Sequence, residues 1–353
     1  MNPAEHVIQL INTDFARDNG EAEKRLSDLQ TAWNDSEMAS TLAKQIQDCC
    51  ASLDSKGPKT KEHEIATHGP NQFLVPVTLL HRSYIKSIRD IIAYGVRIAM
   101  YLGLAILMGT TWLRLATVQE NIQSEINAIF FGGAFMSFMA VAYIPSFLED
   151  RTVYVKERAH GLVGPTAFMV ANFITGLPFL FLITVLFSLP AYFLSNFQPT
   201  ATAFMRWILF LFLDLLAAES LVVLISAICP IFVVALAATA FANGLWMCTN
   251  GFMIPRQQLN VFWRYVFHYI DYQAYVFKGM MVNEFSGRNY ECGEGCHCMF
   301  PSALEKECKI EGKAVLKVYG LSEGKIGEWV GILIAIVFVY RLLGWVVLYL
   351  KRT

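Results

Sequence analysis

The chain has 353 residues, 55% of them hydrophobic and only 16% charged, where about 25% charged is usual for a soluble domain. With 28 basic and 29 acidic residues the formal net charge is −1, which gives no electrostatic footprint for a nucleic-acid partner. A mean hydropathy of +0.42 excludes a disordered chain, a collagen-like fibre and an ordinary water-soluble enzyme.

The charges are unevenly spread. Roughly two fifths of them fall in the first quarter of the chain. A polar head therefore precedes a membrane body. The N-terminus lacks a basic segment followed by an apolar run, so no cleaved signal peptide is expected. Residues 1–70 read as a cytosolic segment. Within it, residues 21–52 hold Leu26, Leu29, Trp33, Leu42 and Ile46 at broadly helical spacing, and 53–70 read as a linker. Residues 71–90 read as an amphipathic connecting helix. Its Arg82, Lys86 and Arg89 are spaced by 4 and 3 and share one face. That face could dock a partner domain, or it could simply be a charged stop before the first span.

A bilayer core needs about 20 consecutive apolar residues. Six stretches qualify within 91–353, at 91–112, 126–147, 168–192, 208–228, 231–253 and 329–350. The expected fold is thus an all-α membrane protein with six transmembrane helices. Cys229-Pro230 suits a tight hairpin between spans 4 and 5. Lys and Arg flanks place both termini in the cytoplasm. The long segment 254–328 then becomes an extracellular loop. Its first part mixes Phe262, Trp263, Tyr265, Phe267 and Tyr269 with Arg264 and His268, which suits an interfacial or re-entrant helix.

Of eight cysteines, Cys292, Cys296, Cys298 and Cys308 cluster in this outer loop. Disulfides fit an oxidising compartment, and four cysteines allow three pairings. Zinc is the rival, but adjacent Cys296, His297 and Cys298 are awkward ligands for a tetrahedron, and no metal site is expected. Two charges lie inside spans at compatible depths. Arg97 is about six residues into span 1, roughly 9 Å, and Glu219 about nine residues into span 4, roughly 14 Å. They are expected to pair, either to fix helix packing or to serve a transport relay. Asp214 has no evident partner. No G-x-x-x-x-G-K-[ST] occurs, and no H-E-x-x-H, G-x-S-x-G or G-x-G-x-x-G. The chain alone is therefore expected to be neither an ATPase nor any other enzyme.

Several segments, in order, resemble the G-subfamily (White-type) ABC half-transporters. Asn2-Pro3-Ala4-Glu5-His6 and the run to Phe15 are similar to the segment after that family's nucleotide-binding domain. Pro145-Ser146-Phe147-Leu148-Glu149-Asp150 with Glu157-Arg158 and Gly161 resembles its inner loop. Gly176-Leu177-Pro178-Phe179 resembles its span 3 motif. Asn250-Gly251-Phe252-Met253, Phe262-Trp263-Arg264-Tyr265 and Asn283-Glu284-Phe285 resemble its span 5 exit and re-entrant segment. Ala218-Glu219-Ser220-Leu221 and the inner loop lean toward the plant-type lipid and wax exporters. The family places an ATP-binding domain before this point. The resemblance therefore implies that ATP and Mg bind outside this sequence, in a domain supplied in cis or by another chain.

The resemblance also implies a homo- or heterodimer of half-transporters, with a hydrophobic substrate held on the twofold axis between spans 2 and 5. Phe135, Phe138, Met247, Asn250, Phe252 and Met253 would line that path. Arg82, Arg89, Glu149, Asp150, Glu157 and Arg158 would couple it to the ATPase. The apolar, Met-bearing lining would favour lipids, sterols, waxes or lipophilic xenobiotics through burial. The plasma membrane is the expected location. A truncated, non-transporting subunit that regulates full half-transporters is the alternative. A membrane enzyme is the weakest reading, for want of clustered catalytic groups.

Overall fold

The computed structural model describes residues 19–54, 74–89, 91–321 and 324–351. The stretch 2–15 and the linker residues 55–70 lie outside the described residues. The chain divides into two units, Met1–Gly69 and Pro70–Thr353.

In the first unit, helices α1 (Asn19–Asn34) and α2 (Glu37–Asp54) are separated by Asp35-Ser36. Ser36 starts α2, its Oγ accepting the Ala39 N–H at 3.1 Å, as a helix N-cap does. Leu29, Trp33, Leu42 and Ile46 keep their helical spacing but remain exposed.

Among its described residues the second unit holds six helices long and apolar enough to cross a membrane. It begins with α3 (Leu74–Arg89), the amphipathic connector, and α4 (Ile91–Thr111), the first span; both pack on α7. The second span is α5 (Ile122–Met139). It does not stop where expected at 147. A 3-10 turn at Ala140–Tyr143 leads into α6 (Ile144–Ala159), and the helical run covers Gln119–Ala159, 41 residues. At 1.5 Å per residue that is about 60 Å, twice the hydrocarbon core. The break falls where Pro145 removes an N–H and its ring crowds the preceding turn. The inner "loop" is thus largely helix. It ends in a Schellman turn, with Leu162 N–H on Glu157 O at 3.0 Å and Gly161 at φ +72°.

Helix α7 (Pro165–Leu194) starts on a proline, where the missing N–H would be unsatisfied anyway. The fourth span, α8 (Ala201–Ile228), is the hub, touching α5, α6, α7, α9, α10 and α12. Of its apolar window 78% is buried, against 22% for α12 (Ile326–Leu350), which faces outward along most of its surface. Helix α9 (Phe232–Thr249) follows the Cys229-Pro230 turn. The aromatic stretch after it forms a π-helical turn at Trp263–Phe267, and the buried helix of this region lies further on than expected, at α10 (Tyr272–Phe285). Its 14 residues span about 21 Å, too short to cross. Asp271 caps it by accepting the Gln273 and Ala274 N–H groups at 2.9 and 3.3 Å. A two-stranded antiparallel hairpin, β1 (Asn289–Glu291) with β2 (Lys309–Glu311), and α11 (Gly312–Val318) complete the segment before α12. Disulfides Cys292–Cys298 and Cys296–Cys308 staple the hairpin.

Candidate functional site

Three groups of predicted residues can be located. The first lies at the α3 end of the bundle. Arg82 and Lys86, one turn apart on α3, both reach α6. Arg82 forms a two-pronged pair with Glu157, and Lys86 Nζ stands 2.7 Å from Asp150 and 3.4 Å from Glu149. Burial pushes the Lys86 ammonium down, but the hydrogen bond to Asp150 and the two carboxylates outweigh it and hold its pKa above the ordinary range. Arg89 is exposed. Arg158 turns the other way. It donates to the carbonyls of Leu348, Tyr349 (3.1 Å) and Lys351 (2.9 Å), satisfying the orphan C-terminal acceptors of α12. Glu157 and Arg158 are thus engaged within the chain.

The second group is the intramembrane pair. Arg97 Nη2 donates to Glu219 Oε2 at 2.9 Å, and the two residues are only 5% and 2% exposed. The guanidinium also lies over Tyr143 (5.1 Å) and Phe179 (5.5 Å). The Gly176-Leu177-Pro178-Phe179 motif acquires a physical reason here. A Cβ on Gly176 would stand 3.3 Å from Glu219 Oε1, so glycine makes room for the carboxylate while Phe179 faces the cation. A second intramembrane cation extends the belt. Arg341 donates to Asn172 Oδ1 (2.8 Å) and Ser220 Oγ (3.0 Å), and Asn172 donates to the Tyr143 hydroxyl (2.7 Å). The sequence reading did not single out Asn172. Asp214 is not partnerless: the Ser137 hydroxyl bonds both carboxylate oxygens, at 2.9 and 2.8 Å. A lone serine in a span gives no sequence signal of that role.

The third group is the expected path. Phe131 and Phe135 stack along α5, and Trp112 stacks on Phe131. Phe138, one turn further, is 44% exposed. Beyond α9 the chain reverses at Gly251, φ +99°, a backbone region open to glycine. Asn250 is buried, its Oδ1 accepting the Phe252 N–H at 2.9 Å. Phe252 lies flat on Phe130 at 4.0 Å, while the next residue, Met253, is 57% exposed. Met247 is partly buried against the core. The structure therefore separates the six: Asn250 and Phe252 build the turn, Phe135 and Met247 half-face the core, and Phe138 and Met253 are open.

Sequence reasoning missed a fourth group at the opposite end. Glu284 and Arg288 of the α10 end pair with each other; Arg288 also reaches Glu125 (3.3 Å) and the Asn196 carbonyl (2.7 Å). Tyr290 donates to Glu125. Glu284 accepts the Gln198 N–H at 3.0 Å, and burial, only partly offset by Arg288, pushes its carboxyl up to about 7. Separately, His268 bridges the Thr249 carbonyl and Lys278, each at 2.8 Å; burial and Lys278 push it down to about 4, so it is neutral.

Residues 77–285 match the family model described as ABC-2 type transporter. The chain is 28% identical over 294 residues to ABC transporter G family member 1 of Petunia hybrida, covering 81% of this chain and 45% of that protein. It is 26% identical over 359 residues to ABC transporter G family member 11 of Arabidopsis thaliana, covering 97% and 50%. With member 23 of Arabidopsis thaliana it shares 30% identity over 246 residues, covering 70% and 38%. The chain spans about half the length of the curated relatives it matches or less. The six apolar helices and the family match make it an integral multi-pass membrane protein. The chain belongs to the ABC-2 type transporter family, in its G subfamily, and the helical bundle is that family's transmembrane domain.

Proposed function

We propose that this chain forms one membrane half of an ATP-driven exporter of lipophilic molecules, built as a dimer of such halves. The ATP-binding domain, with its ATP and Mg, belongs to the complete transporter, in cis or on a partner chain. The observation that carries the reading is the set of open apolar side chains on α5, on α9 and in the turn after it. Phe138 of α5 and Met253 of that turn are exposed, as are Phe232, Val233 and Phe241 of α9. A surface of that kind is stable only against lipid, a second protomer or a hydrophobic substrate. Without a charged group to grip it, a ligand there is selected by buried apolar area and shape.

The ion pairs of Arg82 and Lys86 with α6 support the coupling role. A push on α6 reaches α3 through these pairs and reaches α12 through Arg158. Both termini are assigned to the cytoplasm by the Lys and Arg flanks, with the plasma membrane as the site of action. The test is efflux of a lipophilic fluorophore from cells carrying the chain with its ATP-binding domain. Phe138→Ala and Met253→Ala are expected to lower efflux several-fold, since each removes most of an aromatic or Met contact. Phe193→Ala, exposed on α7, is expected to leave it unchanged. Equal efflux from all three would refute the path.

A further inference from the structure

Helix α9 starts beside the ends of α8 and α12, where Lys351 Nζ donates to the carbonyls of Ala227 and Ile228, and its 18 residues carry the chain about 27 Å away from them. The segment between α9 and α10 therefore lies at the bundle end opposite Arg158.

Three cations gather there, each over an aromatic ring. Arg264 lies over Tyr265 at 5.7 Å and Arg256 over Tyr269 at 5.1 Å, and the two tyrosine rings stack at 6.4 Å. Lys278 of α10 lies over Tyr275 at 5.0 Å, and the Tyr275 hydroxyl donates to the Tyr269 carbonyl at 3.1 Å. Tyr269 thus ties the three together. Among the described residues none of the three forms an ion pair. Two acids in the neighbourhood are engaged elsewhere. Asp271 caps α10 and accepts the Thr249 hydroxyl at 2.9 Å, and Glu328 pairs with Lys325 at 3.6 Å. Burial and then Arg256 push the Lys278 ammonium down to about 8, and Asp271 offsets this only in part. The cluster is short of an anion.

The same segment carries apolar surface. Val261, Phe262, Tyr265, Val266 and Ile270 are exposed, while Arg256 and Arg264 are half-buried between them in sequence. Cations interleaved with aromatic side chains just beyond a span suit the depth of the lipid headgroups. A soluble phosphate would satisfy the cations and leave the apolar side chains in water. A neutral lipid would do the reverse. An anionic lipid satisfies both.

We propose that this surface binds the anionic headgroup of a membrane lipid, its phosphate held by Arg256 and Arg264 with Lys278 adding charge, and its chains against Val261, Phe262 and Val266. A guanidinium presents two parallel N–H groups to a phosphate, which an ammonium does not. The site shares no residue with the proposed substrate path and holds whether or not the chain exports lipophilic molecules.

The test uses the purified full chain in phosphatidylcholine nanodiscs with a small fraction of photoreactive phosphatidylglycerol, or of photoreactive phosphatidylcholine at the same level. The phosphatidylglycerol probe is expected to label residues 254–278 at least about tenfold more than the phosphatidylcholine probe, since each Lys or Arg beside an anionic headgroup supplies roughly fivefold. Arg256→Gln with Arg264→Gln is expected to lower that labelling about twentyfold while peptides of α3 label as before. Arg256→Lys with Arg264→Lys keeps the charge and is expected to retain most of it. Raising salt from about 0.05 to about 0.5 M is expected to weaken phosphatidylglycerol labelling of the unaltered chain and to leave phosphatidylcholine labelling as it was, a reading that needs no variant. Equal labelling by the two probes, or labelling that survives both the double Gln variant and high salt, would overturn the proposal. Full displacement by free glycerol phosphate would overturn the lipid as the occupant and leave a site for a soluble anion.

Discussion

Glu219→Gln keeps the side chain's shape and removes its charge. In the bundle this leaves the Arg97 guanidinium buried without its anion. Breaking a buried pair from one side generally costs about 3–5 kcal/mol. Two features place this case at the low end. The glutamine oxygen can still accept from Nη2, now 2.9 Å from Glu219 Oε2, and Tyr143 and Phe179 present ring faces at 5.1 and 5.5 Å. Each such contact is worth about 0.5–2 kcal/mol. The expected loss is therefore about 3 kcal/mol, roughly a hundredfold in the folding equilibrium constant. Arg97→Gln is expected to cost a similar amount, because it strands the carboxylate. The double variant removes both charges and is expected to fall close to either single one, a coupling of at least about 2 kcal/mol. Reversible unfolding by detergent titration in mixed micelles measures all four corners of the cycle. Additivity within about 0.5 kcal/mol would refute the reasoning that the two charges hold each other in the membrane.

Other parts of the structure make separate predictions. A Cβ on Gly279 would sit 2.2 Å from the buried Phe210 ring, so Gly279→Ala is expected to destabilise by about 1–3 kcal/mol in the same titration, with Phe210→Leu recovering part of the loss. Burial raises the Glu284 carboxyl to about 7, above its unfolded range near 4.5, so its contribution to stability is complete below about pH 4.5 and is lost as pH rises through 7. Glu284→Gln is expected to flatten that slope, worth roughly 3 kcal/mol across the window, and an unchanged pH profile of unfolding would contradict it. Peptide mapping without reductant is expected to recover Cys292 joined to Cys298 and Cys296 to Cys308; either alternative pairing would refute the hairpin arrangement.

The spans were legible because hydrophobicity accumulates over some 20 residues and needs no knowledge of neighbours. Span 2 ran past its expected end because α6 remains helical outside the apolar window, where it packs on α8 and α9, contacts that hydropathy does not reveal. The Arg97 and Glu219 contact could be anticipated, since charges inside spans are rare and their depths can be counted. The role of Arg158 could not. It caps a helix end 190 residues away, and nothing local distinguishes it from a solvated loop charge. The cluster of Glu125, Glu284, Arg288 and Tyr290 escaped for the same reason, because its members come from separate elements joined only by the fold. Family motifs carried more information than their pattern revealed. Gly176 and Gly251 are explained by a carboxylate 3.3 Å from a missing Cβ and by a φ of +99°.

The central claim is that this bundle moves lipophilic molecules when an ATP-binding domain drives it. The most direct measurement is uptake of a lipophilic fluorophore into sealed vesicles reconstituted with the chain and that domain, with and without ATP. The account predicts uptake that requires both ATP and this chain and that falls when Glu157→Arg places a cation against Arg82. Uptake that persists without the chain or without ATP, or no uptake from a correctly folded complex, would contradict it.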